Sequence, residues 1–213
     1  MGKRRRVGNP LALAVLSVLV GKPRHPYEMA SEIRGRGKEA SMKIKWGTLY
    51  SVVDSLERHQ LIKATGTARD GRRPERTVYE ITDAGHAELL DWVRELVGTH
   101  EKEYRRFEAG LSMIGVVPPD DAVALLRGRI DDLDRAAADL DTQLRDLAAT
   151  LPRIFLVEAE YDLAMMRAEA AWIRSLLADL DAGRLSGADA WRHYHESGEL
   201  PTTWTEPDEE DTR

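Results

Sequence analysis

From Val123 to Leu147 the chain places apolar residues at alternating steps of three and four: Val123, Leu126, Ile130, Leu133, Ala137, Leu140, Leu144 and Leu147. That spacing draws one apolar stripe along a long helix, and the stripe has to be covered by another helix. The same chain supplies one. Ile154 to Leu180 form a second helical pattern with Tyr161, Met165, Ala168, Trp172, Leu176 and Leu180 among its apolar positions, and Pro152 stands at the turn between the two. An antiparallel helix pair is therefore expected in the second half. Gly183 closes it, Ser186 caps a last short helix through Trp191, and the acidic run Glu206 to Asp211 is expected to be disordered.

The first half is punctuated differently. Asn9 before Pro10 is a helix start, because Asn accepts from free backbone N–H groups and Pro suits the first helical position. A first helix is expected from about Pro10 to Val20, apolar on nearly all sides, as suits the centre of a small domain. Gly21, Pro23 and Pro26 break it. A second helix begins near Pro26 with Tyr27, Met29, Ala30 and Ile33 as an inward stripe. A third, from about Gly47 to His59, repeats Leu49, Val52, Val53 and Leu56 at the spacing of one buried face and leaves Thr48, Tyr50 and Ser51 outward. Two β-favouring runs, Leu61 to Thr65 and Thr77 to Ile81, flank an Asp70-Gly71 turn and read as a hairpin. Thr82 then caps a helix carrying Leu89, Val93 and Leu96. Three close-set helices followed by a hairpin are the element order of a winged helix.

The predicted fold is mainly α. A winged helix-turn-helix domain (three helices plus β-hairpin wing) spans residues 1–97, an all-α antiparallel coiled-coil-like dimerisation domain spans 98–198, and an acidic disordered tail spans 199–213. Charge follows the same division. The net charge of the 213 residues is −6, yet residues 1–97 hold 18 Lys/Arg against 12 Asp/Glu, whereas residues 98–213 hold 13 against 25. The amino-terminal part is thus suited to a polyanion and the rest is not.

Several function classes are disfavoured. With no cysteine, disulfide frameworks and thiolate metal sites are excluded, which fits a cytoplasmic protein. The longest apolar run, Leu11 to Val20, is far short of the roughly 20 residues that span a bilayer. The basic start is followed by no small-residue cleavage site, which reads against a secretory leader. No catalytic constellation is found: His193 and His195 point to different sides of a helix, no metal-ligand set emerges, and Gly37-Lys38 lacks the upstream glycine of a phosphate-binding loop. Neither a catalytic residue nor a cofactor is assigned.

Two features point to nucleic acid. A helix in the major groove needs small or polar residues outward and cations nearby. Here Lys43 and Lys45 precede the third helix, and Thr48, Tyr50 and Ser51 lie on its outer first turn. The amphipathic pattern alone fits a solvated helix face better; what favours DNA is that the helix is third in order and a basic hairpin follows it. Arg69, Arg72, Arg73 and Arg76 crowd that hairpin tip, where they can hold phosphates.

The run Trp46-Gly47-Thr48-Leu49-Tyr50, then Leu56-Glu57 and Leu61-Ile62, then Gly71-Arg72-Arg73-Pro74, then Tyr79-Glu80-Ile81-Thr82-Asp83-Ala84-Gly85 resembles the recognition helix, wing and exit of PadR-like transcriptional regulators. Leu13 to Leu19 and Pro26-Tyr27-Glu28 are similar as well, so the resemblance covers about the first 95 residues. Family members usually carry Pro after the Leu-Tyr pair; here Ser51 stands there, which bears on the start of the helix. The resemblance implies that Tyr27, Thr48, Tyr50 and Ser51 approach DNA and that Arg72 and Arg73 belong to the wing. Tyr50 has a second role open to it, covering the edge of the core with its ring. Some relatives are implied to release DNA on binding an aromatic or drug-like ligand.

A dimer is expected from the helical half. Apolar surface on Tyr161, Met165, Trp172, Ile173, Leu176 and Leu177 is more than a lone helix pair covers, and a twofold partner is the common solution. Tyr161, Met165, Met166 and Trp172 can alternatively line an effector cavity or fill the core. The expected function is a DNA-binding regulator, a homodimeric repressor on a palindromic operator. The alternative is a helical adaptor whose winged helix binds protein; it leaves the cations unexplained.

Overall fold

A computed structural model describes residue 5 and residues 7–36, 44–68 and 76–200. The chain divides into two units, Met1–Glu103 and Tyr104–Arg213. The predicted tail lies, from residue 201 on, outside the described residues.

In the first unit, helix α1 (Pro10–Leu19) opens where predicted, with the Asn9 side chain accepting from the Leu11 N–H at 2.9 Å. Eight of its ten residues are buried, which makes it the axis around which the unit is packed. Helix α2 (Pro26–Gly35) starts with a reciprocal cap: Nδ1 of His25 accepts from the Glu28 N–H, and the Glu28 carboxylate accepts from the His25 N–H. It buries Met29, Ala30 and Ile33. Tyr27, predicted on that inward stripe, is 67% exposed instead, because Met29, Ala30 and Ile33 share one side of the helix and Tyr27, two residues before Met29, falls outside it.

A single 3-10 turn, Trp46–Thr48, leads into α3 (Leu49–Arg58), whose Leu49, Val52, Val53 and Leu56 enter the same core. Strands β1 (Ile62–Ala68) and β2 (Arg76–Ile81) pair antiparallel, Ile62 opposite Ile81 and Ala64 opposite Tyr79. Beyond that pair the register shifts, Gly66 facing Val78, and Gly66 adopts a φ of +153°, where side-chain-bearing residues are strained. Arg24 adds a one-residue bridge to β2 through Tyr79.

Helix α4 (Asp83–Gly98) is capped by Thr82, whose hydroxyl oxygen accepts from the Gly85 N–H at 3.0 Å while its proton goes to the Gln60 carbonyl. Gly85 has no alternative. A Cβ there would lie 1.9 Å from the Leu61 carbonyl oxygen, so the first turn of α4 crosses closely over the backbone that leads into β1. Leu89 and Trp92 are the buried apolar side chains of α4, whereas Val93 and Leu96 are exposed.

The second unit contains α5 (Arg106–Leu111), α6 (Pro119–Ala148), α7 (Val157–Asp181) and α8 (Ala188–Ser197). Along α6 the predicted seam is in place as far as Leu144: Leu126, Ile130, Ala137 and Leu144 are buried, and Val123, Leu133 and Leu140 pack against them, whereas Leu147, in the last turn, is exposed. Ion pairs Arg127–Asp181, Asp134–Arg174 and Asp141–Arg167 run in opposite order along α6 and α7, which fixes the pair as antiparallel.

The phase of α7 differs from the prediction. Leu163, Ala170, Ile173, Leu177 and Leu180 are the buried residues; of the predicted set Leu180 is among them and Leu176 packs beside them, whereas Tyr161, Ala168 and Trp172 are exposed. Ile173 and Leu177, expected on a surface left over for a partner, are instead core residues of one chain, Ile173 being fully buried, and Leu176, expected on the same surface, packs half-buried against them. Their neighbours supply the reason: α7 is apolar on two sides, and the branched and leucine side fills the groove of α6 better than the bulky aromatic side.

Two contacts finish the unit. The Arg129 guanidinium lies 4.0 Å above the Phe107 ring and meets Glu169, while Phe107 stands edge-on to Trp172 at 6.3 Å, so α5 is held on the helix pair. From α8, the Trp191 Nε1–H donates to the Val117 carbonyl at 2.9 Å, and His195 Nε2 lies 2.9 Å from the Gly115 carbonyl.

Candidate nucleic-acid interface

The first turn of α3 has a defined local geometry. Thr48 ends the 3-10 turn, and its hydroxyl donates to the Lys45 carbonyl at 2.7 Å; the Ser51 hydroxyl donates to the Thr48 carbonyl at 2.8 Å. Both protons are therefore used locally, and both oxygens keep lone pairs for a donor from outside. Lys45 and Ser51 are exposed and Thr48 is half-buried. Tyr50 is 67% exposed, which puts its ring outward and not over the edge of the core.

Lys43, Arg72 and Arg73 lie outside the described residues; Arg76 opens β2. Tyr27 stands on the first turn of α2 with its ring stacked on His25, centroids 6.2 Å apart. The inner faces of α2 and α3 enter one core, and both helices carry their predicted contact residues on the outside of their opening turns.

Three interactions that escaped the sequence reading hold these elements. The Arg34 guanidinium of α2 lies 4.1 Å above the Trp46 ring at the start of α3. Arg24 is buried, donates from Nε to the Val18 carbonyl at 3.0 Å, and reaches Glu32 at 3.4 Å. Arg5, from the basic start of the chain, meets Glu88, Asp91 and Glu95 of α4 and lies over Trp92. Burial works against the Arg5 charge, but the hydrogen bonds and charges of Glu88 and Glu95 outweigh it, and the guanidinium is held above its ordinary pKa. The i, i+3, i+7 spacing of those acids was a readable signal.

Among the described residues, no group of His, Asp and Glu is placed to hold a metal ion, and no helix is long and apolar enough to cross a membrane.

Comparisons with known proteins agree with this architecture. A Lysinibacillus sphaericus protein, itself uncharacterised, is 38% identical over 82 residues, which are 38% of this chain and 72% of that protein. The crystal structure of Bacillus subtilis PadR in complex with operator DNA is similar with a TM-score of 0.64 at 21% identity, covering 80% of this chain and 98% of that one. The Vibrio cholerae virulence activator AphA is similar with a TM-score of 0.61 at 18% identity, covering 81% and 98%. At such identities these two structures establish a shared fold, a winged helix with a helical extension. The sequence profile described as the transcriptional regulator PadR-like family matches residues 15–91, the stretch from α1 to α4 built above, and the chain belongs to that family.

Proposed function

We propose that this PadR-like regulator binds double-stranded DNA as a homodimer and represses transcription by occupying a promoter. One observation carries the reading: α3 buries Leu49, Val52, Val53 and Leu56 while Tyr50 and Ser51 stand exposed at its start beside Lys45. Small polar groups there suit base edges in the major groove, and Lys43, Lys45 and the wing arginines Arg72, Arg73 and Arg76 suit phosphates. Tyr27 and Thr48 complete the set. The operator complex of the Bacillus subtilis protein, whose fold is shared, supports duplex DNA as the partner.

A second copy is supported by the outer face of α7, where Tyr161 is 62% and Trp172 49% exposed and Met165 is half-buried. A twofold dimer would set two recognition helices about 34 Å apart and require a palindromic operator. Such a regulator acts in the cytoplasm, where the DNA lies.

The test is fluorescence anisotropy with a labelled duplex from the region upstream of the chain's own gene, followed by footprinting. Tight, salt-sensitive binding with a symmetric footprint is expected. Absence of binding to every promoter fragment, even in dilute salt, would turn the assignment toward a protein adaptor. Deleting the gene should raise expression from a reporter on that promoter; a fall reverses the regulatory sign. Release by a small aromatic ligand, implied by the resemblance, is read in the same assay.

A further inference from the structure

The buried residues of α3, Leu49, Val52, Val53 and Leu56, fix which side of that helix is turned away from the core. At about 100° per residue, Ser51, Asp54 and Arg58 fall together on the opposite side, at steps of three and four. All three are exposed. Tyr50 and Glu57 flank this stripe, roughly a quarter turn to one side. Asp54 therefore stands at the centre of the outward face, between the Ser51 hydroxyl and the Arg58 guanidinium.

Its charge is not used inside the protein. Arg5, Arg24 and Arg36 each meet a carboxylate of their own unit, whereas among the described residues neither Asp54 nor Arg58 makes an ion pair or a side-chain hydrogen bond.

On a helix that enters the major groove, a carboxylate is unfavourable against most sequences. Phosphates repel it from both sides, and so do N7 and O6 of guanine, N7 of adenine and O4 of thymine on the groove floor. Only the exocyclic amines, N4 of cytosine and N6 of adenine, donate to it there. Adenine sets the acceptor N7 directly beside its amine, so a group that only accepts meets one attraction and one repulsion. Cytosine offers its amine with no acceptor of its own in the groove. Arg58, one turn further on, carries the opposite charge on a long stem and offsets the repulsion from phosphates, so the face as a whole still attracts a duplex.

We propose that Asp54 is a specificity-determining residue: its carboxylate accepts from the N4 amine of one cytosine in each half-site and excludes the other bases there. This deepens the DNA-binding reading above and rests on it.

The test lets full-length wild type, Asp54→Asn and Asp54→Ala each select from a library of duplexes with a randomised core. Single-base variants of the selected site are then titrated, and Tm is measured for each protein. Wild type is expected to require cytosine at one position of each half-site, binding every other base there at least about fivefold more weakly. An amide both donates and accepts, so Asp54→Asn should move the preference at that position to adenine and leave the other positions unchanged. Asp54→Ala should lose discrimination at that position alone. Both variants remove a negative charge and should bind a shuffled duplex about two- to fivefold more tightly. Because Asp54 is exposed, Tm should stay within about 3 °C of wild type. Variants that bind more tightly yet select the wild-type sequence at every position overturn the proposal, because Asp54 then only repels DNA. A preference that blurs at many positions, or changes where wild type does not select cytosine, overturns it as well. Failure of the wild type to enrich any sequence removes the DNA-binding reading, and this inference with it.

Discussion

The Arg34 guanidinium carbon stands 4.1 Å above the centre of the Trp46 ring, pinning the end of α2 to the turn from which α3 starts. A cation over an indole face is worth about 0.5–1 kcal/mol at a partly exposed site. Arg34→Ala is therefore expected to lower stability by about that amount in urea unfolding. Arg34→Lys should recover only part, since an ammonium does not stack as a plane. An unchanged midpoint for Arg34→Ala would show that the contact contributes nothing.

Gly85→Ala tests the crossing of α4 over the backbone that leads into β1. The added methyl carbon would meet the Leu61 carbonyl oxygen at 1.9 Å, and both partners are backbone, so neither can rotate away. A loss of about 3 kcal/mol or more is expected, read as a large fall in Tm or as insoluble protein. Normal stability would mean that the crossing is wider than described.

For the wing, Arg72→Ala with Arg73→Ala should weaken binding to operator and shuffled DNA alike. The dependence of log affinity on log salt should become shallower by about 1–2. Loss confined to the operator would move these residues from phosphate to base contact.

On α7, exposed and buried apolar residues should behave oppositely. Tyr161→Glu with Trp172→Glu is expected to give a helical monomer by analytical ultracentrifugation, with much weaker operator binding because two half-sites no longer act together. Leu177→Asp places a charge in the core of a single chain, and should unfold the helix pair at a cost of about 3 kcal/mol or more. A soluble dimer from the double Glu variant would move the interface elsewhere.

Glu32 gives a pH signature. Its hydrogen bond to Arg36 comes first, and with the charges of Arg24, Arg36 and Lys22 it outweighs burial and lowers the carboxyl pKa. A depressed folded-state pKa stabilises above the unfolded value of about 4.3, and the contribution is lost as pH falls through the lower folded value. Wild type should therefore exceed Glu32→Gln by less than about 1 kcal/mol at neutral pH, with the gap closing below about pH 4. A gap that widens in acid contradicts the assignment.

Much of this was legible in the chain. The α6 seam, the Asn9-Pro10 start, the α3 face and the Thr82 cap follow from local rules, and each is where those rules put it. The phase of α7 was not legible. Tyr161, Met165 and Trp172 and, one step round the helix, Leu163, Ala170, Ile173 and Leu177 are both apolar stripes; spacing gives a period, and only the shape of α6 decides which stripe turns inward. Arg24 and Tyr79 were missed for a different reason. Their contact joins residues 55 positions apart through backbone groups that any pair of residues possesses. Lys43, Arg72 and Arg73 lie outside the described residues, and for them charge pattern remains the argument.

The register shift at Gly66 separates the hairpin into two mechanical parts. Inboard of it, Ile62 and Tyr79 are buried with α1 and α3, and any slip there would turn core side chains to the outside. Outboard, lengthening the loop or exchanging its arginines leaves those inner pairs alone. The inner half of the hairpin thus keeps its register whatever sequence joins its two strands.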